Sequence, residues 1–269
     1  MSDCRAQLRA VLSERFGATV DVPDAVPAVD RLLQMASHRS VRDFADTPVD
    51  PAWVRLLMAV ALSSPSKSDL QQVDLLHIDE PSVQQSIGQL IPRMPWIATA
   101  PVLVLVCGNA RRLPEVCAMH ELPFANDHLD AVFNPAVDAG IVLSALLVAA
   151  EAMGLRGCPV SVIRDQAPAV ASLVGLPQRV FPVAGVCLGW PAEASDTVVP
   201  RLPLRVTVHG ARYAEPSDGL DATLRRYDHR RACALPDALA WTRSKAEKFS
   251  QPERDDWGRF LRTHGMSTD

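Results

Sequence analysis

The run "ASHRSVRDF" (residues 36–44) gathers His38, Arg39 and Arg42 with Ser37 and Ser40, and it carries a single carboxylate, Asp43. A solvated helix face normally mixes both signs of charge. Donors gathered with so little acidity suit an anion, and a guanidinium is a planar fork matched to phosphate oxygens. The run alone leaves a second reading open, a cluster of surface ion pairs. Downstream, "SSPSKSDLQQ" (residues 63–72) sets short hydroxyls around Pro65 and Lys67. Such a turn can hydrogen-bond a flat ligand without bulk, or simply end a helix. Arg201 stands in "PRLP", and further arginines recur at 225, 226, 230, 231 and 243. His120, Glu121 and Phe124 lie in a loop marked by Pro123.

Several chemistries are excluded by what the chain lacks. It has no Gly-x-Gly-x-x-Gly turn, no Gly-x-x-x-x-Gly-Lys phosphate loop, no HExxH and no Gly-x-Ser-x-Gly. The six cysteines, at 4, 107, 117, 158, 187 and 233, form no CxxC pair and no zinc-like spacing, so no metal is expected. Cys107 and Cys187 fall inside apolar runs and read as buried free thiols of a reducing compartment. A net charge of −4 argues against nucleic acid or a membrane surface as partner. The N-terminal residues contain no uninterrupted apolar core of a signal peptide, and a cytoplasmic location is expected.

Helices and strands must position these residues. Leu8, Val11, Leu12 and Phe16 recur at helical spacing, predicting a helix over 3–16, and "AVDRLLQMAS" predicts a second. Asp50 as N-cap and Pro51 in the first turn open a third, with Trp53, Leu56, Leu57 and Val60 as its apolar face. "VDLLHID" predicts a strand, and a helix follows from Pro81 to about Leu90. "APVLVLVC" predicts a central strand. Residues 109–133 are expected to be irregular or weakly helical. A helix buried on all sides is expected from about Pro135 to Met153, where Gly154 stops it. "CPVSVI" and "VFPVAGVCLGW" predict further strands around a short helix, "QAPAVASLVGL". Mixed elements around one very apolar helix predict an α+β sheet covered by helices.

Four stretches in order, "HRSVRDF", "SSPSKSDLQQ", "ALLVAAEAMGLRGCPVSVI" and "VGLPQRVFPVAGVCLGWP", resemble the nitroreductase family of FMN flavoproteins from about Val29 to Tyr213. The tail "PRLPLRVTVHGARY" is similar to the larger, NADPH-preferring bacterial branch. The resemblance implies a nitroreductase-like α+β fold with a mixed, mostly antiparallel sheet, an intertwined homodimer, and FMN as cofactor. It implies that NADPH or NADH passes hydride through flavin N5 to a nitroaromatic, quinone or similar acceptor, in ping-pong fashion, with no catalytic side chain. The alternatives it leaves are a specialised flavoenzyme of the same fold (a dehydrogenase, a dehalogenase or a flavin-fragmenting enzyme) and a noncatalytic FMN-binding protein.

Residue by residue, His38, Arg39 and Ser40 match the family's phosphate and ribityl contacts, and Arg42 matches the cation facing the ring's pyrimidine edge. An ion pair with Asp43 or Asp46 is the competing role for Arg42. Pro65, Ser66 and Lys67 match the serine-rich loop donated by the partner subunit, and Arg201 matches a phosphate cation. The chain departs from the pattern at three places: Asp69 stands for the commoner Asn, Val199 for a usual Lys, and Ser161-Val162 for a Gly pair whose backbone faces N5. For substrate or the NADPH 2′-phosphate the candidates are His120, Phe124, Arg230, Arg231 and Arg243. The implied organisation is an N-terminal helical extension (1–28), an FMN-binding core (29–200), and an arginine-rich extension (201–269) packing on the partner.

Overall fold

The apolar run read as a central strand is β2 (Val102–Asn109), buried at every position. It pairs antiparallel with β1 (Val73–His77) on one side and β4 (Val180–Gly189) on the other. β3 (Arg156–Val160) pairs with β4, so the sheet order is β1-β2-β4-β3. The computed structural model describes residues 2–193, 197–236 and 238–268.

Helices cover both faces of the sheet, which is why β2 has no polar side. On one face Val104, Val106, Val186 and Leu188 pack with Leu57 of α3 (Pro51–Leu62) and Leu146 of α7 (Asp130–Ala152). On the other, Leu103, Leu105 and Cys187 meet Ile87 of α4 (Pro81–Leu90), Ile97 of α5 (Trp96–Thr99) and Ile163. The α+β class is as the residues predict, and the antiparallel pairing is as the family resemblance implies.

Asp50 caps α3 as expected, its Oδ1 accepting from the Ala52 N–H at 2.8 Å. The buried face of α3 differs from expectation: Val54, Leu57 and Ala61 point to the core, while Trp53, Leu56 and Val60 are exposed. Both triplets repeat at i, i+3, i+7, so periodicity does not choose between them. α7 starts at Asp130, and Pro135 lies inside it, buried, at the sacrifice of one backbone hydrogen bond. Nor is α7 buried on all sides, since Phe133, Val137 and Ile141 form an exposed stripe. Among the described residues it is the one helix long and apolar enough to cross a membrane. Ala139, Leu146 and Ala150 turn it towards the core. The segment expected to be irregular or weakly helical contains one short helix, α6 (Arg112–Met119).

The predicted strand "CPVSVI" stops at Val160. Residues Ser161–Gln166 form a short 3-10 segment leading into α8 (Ala167–Leu173). The turn brings Ile163 back over Gly185, where a Cβ would stand 3.2 Å from the Ile163 side chain.

Contacts divide the chain into two units, Met1–Arg39 with Ser195–Glu253, and Ser40–Ala194 with Arg254–Asp269. This division cuts across the boundaries expected at 28/29 and 200/201. In the first unit, α1 (Ser2–Phe16) and α2 (Val29–Ala36) join α9 (Leu204–Thr207), α10 (Leu220–Ala234) and α11 (Trp241–Phe249). Tyr227 is buried there, with its hydroxyl donating to the Pro200 carbonyl at 3.0 Å and its ring edge-on to Trp241. In the second unit, α12 (Trp257–Thr263) and Met266 pack on Phe181, Ala167 and Ala171. The C-terminal segment thus finds apolar partners within its own chain.

Candidate functional site

In the first unit, α1 ends at Gly17, whose φ of +68° is the left-handed conformation that stops a helix. Just before it, Arg15 is only 8% exposed. Its Nε and Nη2 donate to the Ala36 carbonyl at 3.1 and 2.8 Å, and Nη2 also donates to the His38 carbonyl at 3.0 Å. Nη1 donates to the Val199 carbonyl at 3.2 Å, and the Arg15 carbonyl accepts from the Arg201 N–H at 2.7 Å. Arg230 reaches across Gly17 to the carbonyls of Arg15 and Arg201, where a Cβ on Gly17 would collide with its guanidinium. Its Cζ lies 5.6 Å from the Tyr227 ring centroid.

These contacts draw the His38–Arg39 segment and the Val199–Arg201 segment together. Arg39 is half-buried, and its Nε has no hydrogen-bond partner. Among the described residues, Arg15, Arg39, Arg201 and Arg230 form no ion pair, whereas Arg5, Arg205, Arg225, Arg226 and Arg243 each pair with a carboxylate. Burial, then the charge of Arg201, pulls the Arg15 pKa below its usual value, and Glu14 opposes this. Of the four arginines that form no ion pair, Arg15 is buried, Arg39 and Arg230 are half-buried, and Arg201 is exposed.

In the second unit, the chain emerging from the basic loop runs along the sheet edge. Ser40 bridges Gly157, and the Val41 N–H donates to the Gly157 carbonyl at 3.1 Å. Arg42 makes no ion pair with Asp43 or Asp46, the competing role. Its Cζ stands 5.7 Å over the Trp96 ring, and its charge faces the Cys158 thiol. That thiol still titrates above its usual value, because burial outweighs the cation.

The serine-rich loop hangs on Asp138, a residue of α7 that is 2% exposed. Its carboxylate accepts from Ser66 Oγ at 2.9 Å and from the Lys67 N–H at 3.0 Å, while Ser66 Oγ accepts from the Gln71 N–H at 2.8 Å. Ser68, Asp69 and Gln71 all adopt left-handed backbone, with φ of 49°, 58° and 51°. The departing carboxylate of Asp69 accepts from Gln71 Nε2 at 3.2 Å. Pro65, Ser66, Asp69, Arg112 and Asp138 line an open cleft of about 980 Å³. Gln72 also lines it, buried, with Nε2 unpartnered. Of the pair replacing glycines, Ser161 is exposed and Val162 buried, both in the 3-10 segment rather than on a strand.

The remaining candidates are scattered. His120 is exposed at the end of α6, and Phe124 lies under Arg179, Cζ 5.8 Å from its ring. Arg243 is paired with Glu247 along α11, and Arg231 is half-buried on α10. Neither Arg15 nor Asp138 is among the site candidates that the sequence marks. Asp138 had left a signal, a lone carboxylate near the start of an apolar helix; Arg15 had left none.

A sequence model of the Nitroreductase family matches residues 35–190. The chain belongs to this family. It is 31% identical over 199 residues to an FMN reductase [NAD(P)H] of Bacillus subtilis, covering 73% of this chain and 79% of that one. It is 33% identical over 198 residues to an oxygen-insensitive NADPH nitroreductase of Salmonella typhimurium, covering 74% and 79%. Among solved structures it is similar to B. megaterium NfrA2, with a TM-score of 0.83 at 26% identity, covering 89% of this chain and 99% of that one. All four stretches that carry the family resemblance start or fall within the matched residues.

Proposed function

We propose that this chain is an FMN-dependent oxidoreductase that takes electrons from NADPH or NADH and delivers them to a small acceptor such as a nitroaromatic or a quinone. The observation that carries this is the set of arginines in the first unit without carboxylate partners, in a family whose similar members are named as FMN reductases and NADPH nitroreductases. The donor set fits the cofactor: a phosphate supplies the counter-charge that Arg39 and Arg201 lack, and the orphaned Nε of Arg39 gains an acceptor. When bound, FMN supplies the redox chemistry, relaying an electron pair from nicotinamide to acceptor in two half-reactions.

The protein's own residues then bind and orient. His38, Arg39 and Arg201 would hold the phosphate, Ser40 the ribityl chain, and Arg42 the polar edge of the ring. Pro65, Ser66 and Lys67, in the loop that Asp138 holds, would contact the ring and ribityl chain, and the backbone at Ser161 and Val162 would face the ring. A homodimer belongs to the same proposal. It is supported by two exposed apolar stripes in the second unit, Trp53–Leu56–Val60 on α3 and Phe133–Val137–Ile141 on α7. So does a cytoplasmic location, supported by six free cysteines.

The test is the absorbance of the purified protein, followed by NADPH and NADH addition under nitrogen. Stoichiometric FMN that bleaches with either donor is expected. A colourless protein that takes up no FMN overturns the cofactor assignment, and a yellow protein that neither donor bleaches overturns the reductase assignment.

A further inference from the structure

Arg15 lies outside residues 35–190, the span that matches the family, and yet it is the residue through which the two basic segments of the first unit meet. Four of its hydrogen bonds end on carbonyls: two on Ala36 at the C-terminus of α2, one on His38, and one on Val199. Its own carbonyl fixes the Arg201 backbone. The segments bearing Arg39 and Arg201 are 162 positions apart in the chain, and the Arg15 side chain bonds to the backbone of both. A helix C-terminus is the negative end of the helix dipole, unsuited to an anion beside it. The Arg15 guanidinium covers that end, spending its donors on carbonyls, while its positive charge stays without a carboxylate partner.

We propose that Arg15 is a positioning residue for the cofactor phosphate: it holds the two arginine-bearing segments in register, neutralises the α2 carbonyl end, and adds a buried positive charge. The inference rests on the FMN reading and concerns the phosphate alone, since nothing in these contacts bears on the flavin ring. It gives α1, the N-terminal helix, a function in cofactor selection.

The experiment compares FMN with riboflavin, which shares the ring and lacks the phosphate. Dissociation constants for both are measured by flavin fluorescence on the full chain freed of flavin, for the native protein, Arg15→Met and Arg15→Lys. The expected result is a tenfold or greater loss of FMN affinity in Arg15→Met with riboflavin affinity within twofold of native. Arg15→Lys keeps the charge but cannot span three carbonyls, so its FMN-to-riboflavin ratio falls between the two. Equal losses for both flavins, or an unchanged ratio, overturn the proposal. If Arg15→Met does not fold, Arg15→Lys decides alone: a ratio reduced at least twofold supports the proposal and a native ratio overturns it. A native protein with no preference for FMN over riboflavin overturns the cofactor reading and this inference with it, whereas a native preference that survives in the variants overturns this inference only.

Discussion

Asp138→Ala tests whether the serine-rich loop is held in a strained state by one buried carboxylate. The substitution removes the acceptor of Ser66 Oγ and of the Lys67 N–H. Hydrogen bonds to a charged group contribute about 1.5–3 kcal/mol each, so the pair holds the loop with about 3–6 kcal/mol. Against this stand Ser68, Asp69 and Gln71 in left-handed backbone, at about 1–2 kcal/mol per residue for an L-amino acid, or about 3–6 kcal/mol in total. The two sums nearly cancel. Once the carboxylate is gone the loop should open rather than drag the fold with it, because opening releases the backbone strain and returns both donors to water in the open cleft. Global stability should therefore fall by only about 1–2 kcal/mol, less than two buried charge-assisted bonds would suggest. Exchange protection across residues 63–72 should drop at least tenfold, on the order of a 1.4 kcal/mol or larger loss in local opening free energy. Asp138→Asn keeps one acceptor for the Lys67 N–H and should fall between. The assays are hydrogen exchange read by mass spectrometry on that segment, and urea unfolding. Protection within threefold of native in Asp138→Ala refutes the balance. A global loss above about 4 kcal/mol refutes it differently, by showing that the loop cannot open alone.

Four further outcomes are expected. Asp50→Ala removes the N-cap of α3 and should cost about 1 kcal/mol, read as a lowered urea midpoint. Burial depresses the folded-state pKa of His77 below 6.5, with Asp79 opposing. The unfolded chain then binds the extra proton first, so stability is full above pH 6.5 and is lost as pH falls through the folded value; His77→Gln should flatten that decline between pH 7 and 5. The Cys107 and Cys187 thiols are pushed up to about 12 by burial, so alkylation of native protein should spare them and modify exposed Cys233 first; fast labelling of Cys107 would contradict the packing. Leu56→Glu with Val137→Glu places charges on both exposed stripes and should yield a monomer by light scattering; an unchanged mass would remove these stripes from the interface.

Where a residue's role depends on its near neighbours in the chain, the sequence announces it. Asp50 before Pro51, the unbroken apolar run of β2, and Gly154 with its positive φ at the end of α7 all act within one turn of the backbone. The basic loop and the serine-rich loop were legible for the same reason. What stayed hidden was decided by distant packing. α3 carries two equivalent apolar stripes, and only the placement of the sheet tells which one is buried. Pro135 looked like a helix start because sequence shows the cost of a proline but not the burial that offsets it. Ser161 and Val162 left the expected strand because Ile163 fits over the bare face of Gly185, a match between segments more than twenty positions apart. Arg15 was the least visible, since its partners are backbone carbonyls, and a carbonyl has the same chemistry whatever residue bears it.

The order of the two units along the chain has a consequence for biosynthesis. The chain enters the first unit, leaves it at Ser40 for the second, returns at Ser195, and comes back to the second at Arg254. Each unit is interrupted by the other, so no single cut separates them. The last sixteen residues supply Phe260, Leu261 and Met266 to the cluster around Phe181. On the ribosome, domains normally fold in the order in which they are made. Here the sheet-bearing unit is nearly complete at Ala194 but must wait through the whole of Ser195–Glu253 for its final helix. A nascent chain stalled before Arg254 would expose the apolar floor that α12 covers, a ready mark for chaperones or proteases. A truncation before Arg254 would thus act as a folding defect of the sheet-bearing unit rather than as the loss of a tail.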